Sequence, residues 1–199
     1  MVKLFLFFAL VQIAHGDTFS FKADRMLGTQ AAGKEMTVLI GHAEVRTDAL
    51  FLRADRIEIQ GQNNEFIECS GNVTGQEDER EISFQTDHLQ YNRQTSITRM
   101  EGNSVLEDKR NGVVAKARFI EYDQESEVSI LQVGVRLFKN EMVCRSEHAI
   151  YRRAENMLNL SGFPVVYRQH DEFRADRIQV NLENDSVTMQ GSVAGSIQN

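Results

Sequence analysis

Phe51-Leu52-Arg53-Ala54-Asp55-Arg56-Ile57, followed by Ile67-Glu68-Cys69-Ser70-Gly71-Asn72-Val73, is the stretch whose reading decides the fold. Apolar and polar side chains alternate through both halves, the period-two signature of a strand with one buried face and not the 3.6-residue spacing of a helix. The first half carries Ala-Asp and then an apolar position. The second closes on a glycine, which inside a strand pattern marks a bulge or bend. Between them Gly61-Gln62-Asn63-Asn64 reads as a turn.

The same two halves recur along the chain. First halves begin at Phe21, Leu52, Phe84, Ala115, Arg145 and Phe173, and carry Asp24, Asp55, Asp87, Arg118, His148 and Asp176 at the acid position. The glycines are Gly41, Gly71, Gly102, Gly134, Gly162 and Gly191, spaced by 30, 31, 32, 28 and 29 residues. Stacked units require such regularity and a single globular domain has no reason for it. The expectation is an all-β protein: one elongated β-jellyroll or solenoid-like stack of antiparallel strands, with about six repeats of ~30 residues filling residues 17–199 as a single domain.

Aligning the units gives the columns that should line one interior face. Two residues before the Ala position stand Phe21, Leu52, Phe84 and Phe173, with Ala115 and Arg145 in the same column. Three after it come Ile57, Leu89, Ile120, Ile150 and Ile178; five after it come Ile59, Tyr91 and Val180, with Tyr122 and Arg152. The glycine halves add Ile67, Ile130 and Leu158 four residues before the glycine, and Cys69, Gln132 and Leu160 two before it. The aspartates read as structural, because Asp side chains bind nearby backbone amides and fix turns. A ladder of metal ligands would not survive Arg118 and His148 in its column.

No catalytic constellation is present: there is no Gly-x-Ser-x-Gly, His-Glu-x-x-His, Cys-x-x-Cys or phosphate-cradling glycine loop. His42, His88, His148 and His170 fall in different columns, and Glu77, Asp78 and Glu79 read as solvated acids of a polar turn. The chain is therefore read as a non-enzyme with no cofactor and no metal. Cys69 and Cys144 lie more than two units apart, beyond the ~7 Å reach of a disulfide when strands stack ~4.8 Å apart. They read as buried free thiols.

Residues 1–16 have the build of a secretory signal peptide: Lys3, an apolar run over residues 4–13, and Ala14-His15-Gly16 as a small-x-small cleavage site. The run is shorter than the ~18–20 residues that span a bilayer. Removing it takes Lys3 and leaves 183 residues with 21 basic against 29 acidic side chains, a net charge of −8. That balance argues against nucleic acid as a partner. Both ends of the stack, near residues 19–24 and 187–197, carry no obvious cap, and open edges recruit further strands.

Signal peptide, repeated Ala-Asp and repeated Gly-Asn, as in Gly71-Asn72-Val73 and Gly102-Asn103, together resemble the LptA/OstA family of periplasmic lipopolysaccharide-transport proteins over residues 19–195. The resemblance implies an OstA-like β-jellyroll in the periplasm whose hydrophobic groove carries the acyl chains of lipopolysaccharide, or a related glycolipid, from the inner to the outer membrane. It implies as partners the jellyroll domains of inner- and outer-membrane transport proteins, with head-to-tail self-association. The pattern departs at Arg118, Gly134-Val135-Arg136, Arg145 and Arg152, which leaves the lining there open. Two alternatives stand beside it: a membrane-anchored jellyroll of the same pathway, and a structural β-solenoid interaction module of the envelope.

Overall fold

The computed structural model describes residues 19–29 and 35–197; the leader read over residues 1–16 lies outside them. Among the described residues, sixteen strands join into one antiparallel sheet. They are β1 (Ser20–Lys22), β2 (Arg25–Thr29), β3 (Met36–Arg46), β4 (Phe51–Gln60), β5 (Phe66–Glu77), β6 (Ile82–Asn92), β7 (Ile97–Asp108) and β8 (Val113–Asp123). Then follow β9 (Val128–Lys139), β10 (Met142–Arg152), β11 (Met157–Ser161), β12 (Val165–Arg168), β13 (Asp171–Arg174), β14 (Arg177–Asn181), β15 (Ser186–Gln190) and β16 (Ala194–Ser196). From β3 to β11 each strand pairs with the next. Short polar turns make this the cheapest pairing, because neighbours in sequence close with little loop entropy. Asn92, Asp123 and Asn181 fold these turns by accepting backbone N–H bonds two and three residues on, at 2.9–3.3 Å.

The long strands are bent. Register slips between Ile40 and Ala43, Ser70 and Val73, and Glu101 and Ser104, so the first three glycine halves each carry a bulge. At Gly71 and Asn72 φ is 76° and 48°, and a Cβ at Gly71 would run into the Asp55 carboxylate. Only glycine suits both the left-handed backbone and that close approach. Asn72 Nδ2 donates to Asp55 Oδ2 at 2.9 Å, which ties the bulge to the neighbouring strand. The aspartate column is thus a row of corner latches, repeated at Asp24 with Gly41, Asp87 with Gly102 and Asp176 with Gly191.

The corner line folds the sheet across its own strands and lays its two halves face to face. At the C-terminal end the bent strands break in two, so β10 pairs with β11 on one side of the corner and with β12 on the other. A continuous core fills the space between the halves.

In the glycine half of the fourth unit and the first half of the fifth the columns sit one residue away from the sequence alignment. The fourth bulge is Val133-Gly134, both at φ 66°, so its glycine comes second and Ser129 and Leu131 face inward where Ile130 and Gln132 were expected. The fifth acid is Glu147, whose N–H donates to Gly162 O at 2.9 Å, and not His148. Cys144, Ala149 and Tyr151 are consequently buried, while Arg145, Ile150 and Arg152 face away from the core. The arginines that interrupted the columns lie outside, and the apolar lining continues through these units.

Candidate functional site

The candidate site is the interior of the folded sheet. Its deepest row follows the corner: Leu39, Ile57, Cys69, Leu89, Met100, Ile120, Leu131, Ala149, Leu160 and Ile178 are successive register neighbours, and all are buried. Facing it across the core, Leu52, Phe84, Leu106, Ala115, Leu137, Cys144 and Val166 line the other half. Gly75 interrupts this second row so that the Phe84 ring can lie where a Cβ would stand. Both cysteines are free, and burial pushes their thiols up to about 12. They pack as small apolar groups.

Of the residues picked from the sequence, Leu52, Ile57, Ile59, Ile67, Phe84, Leu89, Tyr91, Ile120, Leu158, Leu160, Ile178 and Val180 line this interior. Phe173 is half-buried against it. Phe21 is 49 % exposed on the edge strand β1, because an end strand has no further layer to cover it. Ile150 points away from the core, for the register reason given above.

The edge of the interior farthest from the corner, its mouth, is built differently along its length. One side shows Ile59, Ile67, Tyr91, Thr98, Tyr122, Ser129, Tyr151, Leu158 and Val180 in register. It is aliphatic at both ends and hydroxyl-bearing in the middle. The opposite side presents Glu77, Ile82, Asp108 and Val113. Across the gap the Tyr122 hydroxyl donates to Glu77 at 3.2 Å and the Tyr151 hydroxyl to Asp108 at 2.8 Å. Burial, with the adjacent carboxylates, holds both phenols above their ordinary range.

Arg153 completes this clasp. Its Nε donates to Asp108 at 2.8 Å, its Nη1 to Glu127 at 2.7 Å and its Nη2 to the Arg80 carbonyl at 2.7 Å. Arg80 bridges Glu77 and Glu127, and Asn111 donates to Tyr151 at 3.0 Å. Asp108 is 0 % exposed and Arg153 4 %. Burial pulls the Arg153 guanidinium down, but Asp108 and Glu127 more than offset it and leave it above its usual value. Sequence reading missed the clasp and placed Glu77 among solvated turn acids. Its carboxylate is inside because the strand runs one inward position past Gly75. The two buried polar atoms without a hydrogen-bond partner among the described residues, Thr98 Oγ1 and Gln124 Nε2, lie beside the clasp.

Toward β1 the two sides of the mouth stand apart. A cleft of about 640 Å³ runs between the turn at Thr47, Asp48 and Ala49 and the turns at Asn63, Asn64 and Glu65 and at Gln94 and Ser96, with Phe19 and Tyr91 on its walls. The histidines are dispersed: His42 meets Asp24 at a corner, 2.7 Å away, and His88 meets Glu68 at 2.8 Å.

A bent antiparallel sheet closed over a continuous apolar interior is the feature that defines the class of this protein. The family model for the LptA/(LptD N-terminal domain) LPS transport protein matches residues 20–128, over half of the chain, and the chain belongs to that family of non-enzymatic transport proteins. No curated protein matches it. Among solved structures it is similar to LptH, the LptA-homologous periplasmic component of the lipopolysaccharide transport device of Pseudomonas aeruginosa, at 12 % identity over 92 % of this chain and 96 % of that one, with a TM-score of 0.27.

Proposed function

We propose that the chain is a periplasmic carrier of lipopolysaccharide or a related glycolipid, taking its acyl chains into the interior on the way from the inner to the outer membrane. The observation that supports this best is the unbroken apolar row from Leu39 to Ile178 in a member of an LPS transport family. Each acyl methylene moved from water into such surroundings is worth about 0.8 kcal/mol. The interior is filled by its own side chains, so a guest chain must part the two halves. The cleft near Phe19 is where they already stand apart. The exposed side chains Phe21, Met26 and Leu27 on the β1–β2 edge suit docking to the jellyroll of a membrane-bound partner or a second copy.

The test is native mass spectrometry with lipid extraction on protein from its own envelope, combined with a photo-reactive phenylalanine analogue at Tyr91 or at the outward Gln90. Glycolipid should co-purify and crosslink from position 91 and not from position 90. A lipid-free protein that also refuses added lipopolysaccharide would make the chain a structural solenoid with a filled interior.

A further inference from the structure

The outer surface of the sheet carries a second feature that the interior does not explain. On the corner-to-mouth half formed by β8, β9, β10 and β12, Lys116, Arg136 and Arg145 are direct register neighbours on three consecutive strands. All three are exposed, as is Arg118 at the nearby corner, and none of the four is in an ion pair among the described residues. Like charges set opposite one another across strands destabilise a sheet, and this chain is acidic overall, with a net charge of −7. Acids had every chance to be interspersed here. The nearest are Glu107, at the end of the adjoining row, Glu147, which receives the Gly134 N–H at 3.3 Å, and Glu172, bound to Arg174.

The adjoining outward row is apolar where an exposed face should be polar. Val114, Phe138, Val143 and Tyr167 follow one another in register and are half-buried. Lys116 sits over the Phe138 ring at 5.7 Å and Arg145 over the Tyr167 ring at 5.3 Å. On the earlier strands the equivalent outward rows run Phe51, Gln76, Ser83 and Glu107 beside Arg53, Thr74, Gln85 and Val105; Arg46 and Arg53 lie over the Phe51 ring there, but Arg53 is neutralised by Glu44 and the rest of the apolar row is replaced by polar side chains. The corner flanking the basic row also changes: Val133 is 55 % exposed at φ 66° and Phe163 is 92 % exposed at φ 56°. A β-branched or bulky residue in the left-handed region is strained, and strain that holds a large apolar side chain in water points to something it meets there.

We propose that this face, from the Phe163 ridge across the Lys116–Arg136–Arg145 row to Phe138 and Tyr167, docks on the anionic surface of a lipid bilayer. Cations paired with aromatic rings beside single projecting apolar side chains match an interface of phosphate headgroups over acyl chains. A protein groove would instead meet a pocket or ridge of matching shape, and here Val133 and Phe163 project singly from the corner beside the cations. The face lies on the opposite side of the sheet from the interior, so its failure would leave the carrier reading untouched.

The test places an environment-sensitive fluorophore on the full chain at Val143→Cys, with Gln85→Cys, outward on β6 and two strands from Lys116 toward the N-terminal end of the same half-sheet, as the control. The native cysteines are buried and stay unlabelled. With vesicles of phosphatidylcholine containing phosphatidylglycerol, the probe at 143 should report exclusion of water and the probe at 85 should not. Vesicles of phosphatidylcholine alone should leave both unchanged. Arg136→Glu with Arg145→Glu should weaken the response at least about tenfold, 0.5 M salt should suppress it, and Phe163→Asn should reduce it. Thermal melts of the charge variants confirm that the fold is kept. No response at 143 from either kind of vesicle, or one indifferent to charge reversal, overturns the proposal. So does a crosslinker at 143 that captures an envelope protein in place of lipid.

Discussion

The mouth of the folded sheet is locked in the middle and open toward β1, although the Asp55–Gly71 latch at the open end recurs as Asp87 with Gly102 in the middle. In the middle, Glu77 and Asp108 reach Tyr122, Tyr151 and Arg153 across the gap; toward β1 the aliphatic Ile59 and Ile67 stand in the corresponding register, next to Tyr91 on the cleft wall. Burying two acids and a guanidinium carries a large desolvation penalty, so a buried ion pair is weak evidence of net stability. The clasp is better understood as a device of specificity, which holds two half-sheets in one relation. Hydrophobic packing alone is non-directional and would allow them to slide.

The largest break in this comparison should come from Arg153→Met. It leaves Asp108 buried without its cation and should lower unfolding stability by about 3–5 kcal/mol in urea titration. Adding Asp108→Leu should restore most of that loss, and a double variant no better than the single one would mean that the guanidinium packs more than it pairs. Next in size, Gly102→Ala strikes the Asp87 side chain at φ 98° whereas Gly134→Ala meets nothing within 4 Å. Both pay the left-handed backbone, so the first should cost about 1–2 kcal/mol more than the second. Equal losses would show that backbone strain, and not the acid latch, sets the corner.

Smaller is Thr98→Val, which removes a buried hydroxyl with no partner. It should be neutral or stabilise by up to about 1 kcal/mol, and a clear loss would reveal a bond to the hydroxyl within the clasp. The smallest effect is at the first corner, where the hydrogen bond and then the charge of Asp24 raise the pKa of exposed His42 above 6.5. The protonated pair is fully present below that value and fades as pH rises through the raised one. Amide exchange at Asp24, whose N–H donates to Gly41 O at 2.9 Å, should therefore be better protected against opening at pH 5.5 than at pH 8 once intrinsic exchange is corrected. His42→Asn, which matches the corners at Gly71-Asn72 and Gly102-Asn103, should abolish that difference.

Much of this was legible in the chain. Alternation around Ile57 and Ile67 located the inward face, and Asp55 with Gly71 located the corner, because both are local: a strand side chain's direction follows from its position parity, and a bulge needs its glycine where it bends. The errors came where a local marker moved by one residue. Val133-Gly134 puts its glycine second and Glu147 stands one before His148, and in a strand a one-residue slip exchanges the two faces. That is why the pattern puts Ile150 inside, although its neighbours Ala149 and Tyr151 are the buried residues.

The clasp could not be read this way, since Asp108 and Arg153 are 45 residues apart and neither sits in a pattern of its own. Nor could the outer basic row, because Lys116, Arg136 and Arg145 become neighbours only through the hairpin register. By itself the sequence determined the strands, their turns, the corner glycines and the apolar lining, all of which depend on residues close along the chain. The tertiary structure alone decided which polar groups meet across the mouth, where it stays open and which cations share a face, because those depend on how far each strand runs before it turns.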